Sequence, residues 1–260
     1  MGYSYPISPW QRFYAIAAPV VFVLVIFAIL GASSVFPLVS RQAVSFGMLL
    51  AALGATFARL LIAYALALVC SVPLALIVNR SPVAERLLLP IFDIVQSVPV
   101  LAFFPVIIIF FVRMGFTDGA AVFVLFLGML WNIVFSLVGG LKIIPEDIKS
   151  AAHVFNVRGG AYLRRILLPG VVPYLVTGSL LAWAQGWNII IVAEVLHTYI
   201  PGGTAAQDLF GMGSVLVNAA ANGQNALFLA ATLVMVVAIA ILNFFVWQKL
   251  LHYAERYKFE

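Results

Sequence analysis

The chain has 260 residues, 65% of them hydrophobic and only 9% charged. An ordinary soluble domain carries about 25% charged residues, and a soluble fold this apolar would expose patches that aggregate, so the composition excludes one and points to a single membrane domain. The net charge of +5 lies in short loops between apolar runs, a pattern of membrane topology rather than of nucleic-acid binding.

In chain order, Arg12 is the only early base, and the apolar run after it is too long for a signal-peptide core. A membrane helix needs about 20 mostly apolar residues. Six stretches qualify: 13–37, about 60–78, one within 87–112, 119–141, about 166–193 and 226–248. The third contains a charge, Asp93. Cys70, the one cysteine, lies in the second and reads as a small apolar filler with no disulfide role. Apolar residues run right round each stretch, which argues against surface helices. The expected fold is all-α, a polytopic membrane protein with six transmembrane helices.

Charge fixes the orientation. With six spans, Arg12, Arg80, Arg86, Lys142, Lys149, Arg158, Arg164, Arg165, Lys249, Arg256 and Lys258 share one side, against Arg41 and Arg113 on the other. Arg59 is expected near the outer start of the second span, where it can snorkel. Basic residues stay in the cytoplasm, so both termini are expected there.

Two loops are long. The outer one, about 196–224, is rich in Gly and Asn and suggests turns around a short half-helix at the membrane edge. The cytoplasmic one, about 142–168, has helical logic of its own. Pro145 suits a first helical position, and Glu146 and Asp147 follow where the helix dipole favours anions. Ile148, Ala151, Ala152 and Phe155 recur at helical spacing on one face. Asn156 can close the helix in the left-handed conformation, and Gly159 and Gly160 allow a reversal. A second short helix then reads AYLRRILL and is expected to end at Pro169. Such a segment suits either the membrane surface or a partner's cleft.

The stretch SAAHVFNVRGGAYLRRILLP resembles the EAA loop of binding-protein-dependent ABC importer permeases, whose pattern is Glu-Ala-Ala-x3-Gly-x9-Ile-x-Leu-Pro. Ala151, Ala152, Ile166, Leu168 and Pro169 match, while Ser150 stands for the Glu and Asn156 for the Gly. The run from TFARLLIAYALALVC through SVPVLAFFPVIIIFF, and the tail LNFFVWQKLLHYAERYKF, resemble the nitrate, taurine and sulfonate branch. The likeness covers about residues 50–258 of one permease domain, 1–260. It implies that Pro145, Glu146, Asp147, Ser150, Ala151, Ala152, His153, Phe155, Asn156, Arg158 and Gly159 couple to a cytoplasmic ATP-binding subunit. It also implies a second permease subunit, an extracytoplasmic solute-binding protein and a small anionic substrate. ATP and Mg2+ are expected on the partner, because this chain has no G-x-x-x-x-G-K-[ST] phosphate loop; the chain itself is expected to be a transport subunit and not an enzyme, in the inner membrane of a prokaryote.

Polar groups at membrane depth face a pathway or a partner. Asp93, Gln96, Ser97, Asn132, Gln185, Asn188 and Glu194 are candidates for the solute path. For the amides the alternative is interhelical hydrogen bonding, and for Trp131, Trp183 and Trp187 it is interfacial anchoring. Asp93 is also placed to pair with Arg86. Glu194 and His197 have E-x-x-H spacing, but a single copy is a weak metal signal, and no metal site is expected. His153 and His252 read as surface histidines, and Gly178, Ser179 and Gly186 as close-packing positions. The competing reading is a secondary transporter or channel. It lacks the repeats or extra buried charge that class shows.

Overall fold

A computed structural model describes residues 45–200 and 202–257. The first expected span, 13–37, and Arg12, Arg41 and Lys258 lie outside the described residues, all of which are helical, turn or irregular, with no strand among them.

Helix α1, Phe46–Val78, is 33 residues long and starts well before the expected 60. Ser45 caps it, its hydroxyl accepting from the Met48 N–H at 3.4 Å. Its buried seam is made largely of small residues, Ala52, Thr56, Ala63, Ala67, Ser71 and Ala75. Small side chains let another helix lie close without a drop in packing density. Helix α2, Pro82–Ser97, begins with Pro82 behind the capping hydroxyl of Ser81.

The third expected span is not one helix. It breaks at Pro99 and resumes as a short 3-10 turn, Val100–Phe103, and helix α3, Phe104–Arg113, with a 70° bend between the two arms. The ring of Pro99 removes a backbone donor and forces Val98 to extended geometry. Helix α4, Thr117–Ile143, is the centre of the molecule and packs along α1 and α6.

After α4 comes the short helix α5, Glu146–Val154, then the long helix α6, Gly159–Ala193. Pro169 does not end a separate helix as the sequence suggests. Leu163–Leu167 widen into a π-turn in which the Leu168 N–H bonds to the Leu163 carbonyl. The wide turn absorbs the donor that Pro169 lacks, and the helix runs through. The close-packing glycines are at the α4–α6 seam: a Cβ on Gly178 would lie 2.6 Å from the Ser136 Cβ.

The 196–224 loop contains the expected half-helix, α7, Met212–Ala221. It wedges its buried Met212, Val215 and Leu216 against Leu49 and Ala52 of α1 and Ala231 of helix α8, Asn225–Tyr257. Four helices, α1, α4, α6 and α8, are long and apolar enough to cross a membrane, and the bent α2–α3 pair makes up to five among the described residues. Together with the apolar stretch 13–37, that is compatible with six spans.

Candidate functional site

The 142–168 loop is built from short, well-capped pieces. Pro145 takes the cap position of α5, one residue earlier than its expected place, and its carbonyl accepts from the Ile148 and Lys149 N–H groups. At the far end Asn156 is left-handed, φ +54°. Its N–H bonds to the His153 carbonyl at 3.0 Å, and the Val157 N–H to the Ala152 carbonyl at 2.9 Å. That pair of bonds is the Schellman arrangement, with Asn in the place usually held by Gly. Gly159, φ +58°, then turns the chain into α6.

The expected four-residue face divides in two. Ala152 is buried and Ile148 half-buried against the protein's own body, whereas Ala151 is exposed. Val154 and Phe155 are 80% and 78% exposed. An aromatic ring and a branched side chain left this open at a helix end form an unpartnered apolar tip. Glu146, Asp147, Ser150, His153, Arg158 and Gly159 are exposed around it. Lys149 bridges to Glu146 at 2.8 Å, and Lys142 to Glu85 of α2 at 2.6 Å. Such exposed pairs contribute below about 1 kcal/mol each; the first lies within α5, and the second ties the end of α4 to α2.

Three of the path candidates meet. Gln96, Asn132 and Gln185, from α2, α4 and α6, line one open cavity of about 380 Å³ with Trp131 and the backbone of the Pro99 break. The broken span therefore supplies a cavity wall, the setting in which irregular backbone is tolerated at membrane depth. Asn132 donates to the Gly128 carbonyl of its own helix at 3.2 Å, and Asn188 to the Ala184 carbonyl at 3.0 Å. Those amides therefore bond within their own helices. Asp93, Ser97 and Asn188 are exposed and lie outside the cavity lining. Asp93 accepts from Gln96 at 2.9 Å and not from Arg86, which stands two helical turns away. Trp183 and Trp187 are core residues, 6% and 8% exposed, not interfacial anchors. Trp183 packs against Phe57, Tyr64 and Trp247.

Glu194 belongs to a different centre, fully enclosed. Its Oε1 accepts from Arg59 Nη1 at 2.7 Å and from Thr56 Oγ1 at 2.8 Å, and its Oε2 from the Gly213 N–H at 2.7 Å. Arg59 also reaches Asp118 of α4 at 2.7 Å and the Phe210 carbonyl at 3.0 Å. Arg59 does not snorkel. It turns inward because two carboxylates converge on it, which at this depth is worth more than a reach for water. His197 does not join Glu194 either: its backbone N–H and ring Nδ1 both engage Asp208, at 3.0 and 2.8 Å. The Arg59–Asp118–Glu194 centre escaped the sequence reading. Its members are far apart in the chain, and the one available signal was an arginine placed inside an apolar stretch.

The sequence profile described as "Binding-protein-dependent transport system inner membrane component" matches residues 67–251. The chain is 30% identical over 164 residues to the nitrate import permease protein NrtB of Leptolyngbya laminosa, covering 62% of this chain and 57% of that protein. It is 30% identical over 148 residues to the bicarbonate transport system permease protein CmpB of a Synechocystis strain, covering 57% and 52%. It is 25% identical over 144 residues to the taurine transport system permease protein TauC of Escherichia coli, covering 55% and 51%. The matched stretch thus spans about half the length of these relatives. In fold it is similar to a chain of the MetNI methionine ABC transporter in an inward-facing conformation, with TM-score 0.68 and 17% identity over 80% of this chain and 97% of that one. A profile that takes in the 142–168 loop, the polar cavity and all the described helices except the first two thirds of α1 and the last residues of α8 settles the family: this chain belongs to the inner membrane components of binding-protein-dependent transport systems.

Proposed function

We propose that the chain is the membrane-spanning subunit of an ATP-driven importer. Two such subunits, identical or sister chains, enclose a path. A cytoplasmic ATPase holding ATP and Mg2+ drives it, and an extracytoplasmic solute-binding protein feeds it. The observation that carries this reading is the exposed tip of α5, Ala151, Val154 and Phe155, held by a rigid cap. A short helix with an apolar tip fits the cleft of a partner.

The mechanical logic follows from connectivity. Only Ile144 and Pro145 separate α4 from α5, and only 155–158 separate α5 from α6. These two long helices carry Asn132 and Gln185, the opposed walls of the polar cavity. A push on α5 by a closing ATPase is passed to both walls, opening the cavity to alternate sides in turn. Among the described residues the cavity offers neutral amides and an indole and no cation. Neutral donors and acceptors can hold a small solute weakly enough for it to leave again. The relatives point to a small anion of the nitrate, bicarbonate or taurine kind. We place the chain in the cytoplasmic membrane, with the basic end of the helices inside.

The test is co-purification with the candidate ATPase. Phe155→Asp and Ala151→Glu change exposed side chains, so the variant chain is expected to stay monodisperse and lose the ATPase. Assembly that survives both changes, or a wild-type chain that transports without an ATPase, overturns this reading in favour of a secondary transporter.

A further inference from the structure

Where α1, α4, α6 and α8 converge at the basic end, two cavities adjoin. One, of about 280 Å³, has walls of aliphatic side chains such as Val72, Leu141, Leu167 and Val172. The π-turn forms part of its edge, with Leu163, Arg164 and Leu167 facing it. The other, of about 290 Å³, takes in Arg165 and Arg256. Pro169 and Tyr257 border both. The Tyr253 and Tyr257 hydroxyls are hydrogen-bonded at 2.8 Å, and the Arg256 guanidinium lies 6.0 Å from the Tyr253 ring centroid. Arg164, Arg165 and Arg256 are exposed, and none of them joins an ion pair among the described residues.

We propose that these joined cavities bind one anionic glycerophospholipid of the cytoplasmic leaflet, an acyl chain entering the aliphatic cavity and the phosphate resting on Arg165 and Arg256. The proposal rests on the orientation given above, which sets this end of the helices at the level of the inner headgroups. Arg165 and Arg256 share one cavity whose described lining holds no carboxylate, and a phosphate there can accept paired N–H donors from both. Basic pockets between membrane helices on the cytoplasmic side suit lipid head groups. A cationic cluster on its own would equally suit an acidic protein surface. The aliphatic cavity beside it decides for a lipid, because a protein surface gives no reason for an apolar cavity of this size under the arginines. The paired tyrosines fit the same place, with a ring toward hydrocarbon and a hydroxyl toward water.

The test uses the full purified chain without its ATPase, so its outcome is independent of the docking experiment. Native mass spectrometry reads retained lipid after mixing with dioleoyl phosphatidylglycerol or dioleoyl phosphatidylcholine, which share acyl chains and differ in charge. The wild type is expected to retain the anionic lipid about tenfold more, and R165Q/R256Q to remove that preference. Val172→Phe, which narrows the aliphatic cavity, is expected to lower retention of both lipids. Inorganic phosphate at millimolar concentration is expected to displace little. Equal retention of the two lipids by the wild type overturns the proposal, as does an unchanged preference in R165Q/R256Q or undiminished retention in Val172→Phe. Full displacement by inorganic phosphate overturns it in favour of a free-anion site.

Discussion

At the scale of single residues, the most consequential feature is a charge that turns away from water. The Arg59 side chain is 10% exposed and that of Glu194 is fully buried. The two tie α1 to the end of α6, and through Gly213 they hold the first turn of α7. A buried charge left without its partner is expensive, whereas losing both partners is often nearly neutral. Arg59→Met is therefore expected to destabilise the protein by about 3 to 5 kcal/mol. Arg59→Met/Glu194→Met is expected to recover most of that loss. Thermal unfolding followed by size-exclusion chromatography checks this, and a double variant no more stable than the single one sinks the pairing argument. Gly213 belongs to the same centre. A Cβ there would lie 2.7 Å from the Ile190 carbonyl oxygen, so the helix start can approach only as glycine.

At the scale of elements, two prolines do opposite things. Pro99 breaks a span by 70°, because the chain on its far side turns away to cover α4. Pro169 leaves a helix whole, because a π-turn lies directly before it. The sequence alone suggested a helix end at Pro169 and a single span through Pro99, and which outcome holds depends on what packs beyond each proline. The cap of α5 was legible, since Asn is among the few residues that tolerate a left-handed backbone, and φ at Asn156 is +54°. The side of α5 that faces inward was not. Its Ala and Ile pattern describes one broad face, and only the body beneath it selects Ala152 over Ala151. Asn156→Val is expected to cost roughly 1 to 2 kcal/mol of local stability. Hydrogen exchange at Val157, whose N–H closes the cap, should then speed up by about an order of magnitude. Asn156→Gly should leave it unchanged or slower. Equal exchange in all three chains would mean that the cap does not hold the loop.

At the scale of the whole molecule, charge and packing agree. The basic residues at the ends of α1, α4 and α8 and the start of α6 gather at one end, and the structure joins those helix ends around shared cavities. The opposite end carries the Arg59–Glu194 centre and α7. Labelling with a membrane-impermeant thiol reagent tests the orientation. In a Cys70→Ala background, Ser150→Cys is expected to react only from the cytoplasmic side and Thr204→Cys only from the outside. Both positions are exposed. The reverse pattern would invert the topology and place the α5 tip beyond the reach of a cytoplasmic ATPase.

By itself the sequence determined the membrane class, the helical fold, the apolar stretches and the local chemistry of the 142–168 loop. Each of these follows from hydropathy, charge placement or the conformational limits of residues near one another in the chain. Only the tertiary structure decided that Gln96, Asn132 and Gln185 share a cavity while Glu194 is locked away beside Arg59. The physical reason is that an apolar helix carries almost no periodic signal of which side meets protein and which meets lipid. Where its polar residues point is settled by the helices that pack against it.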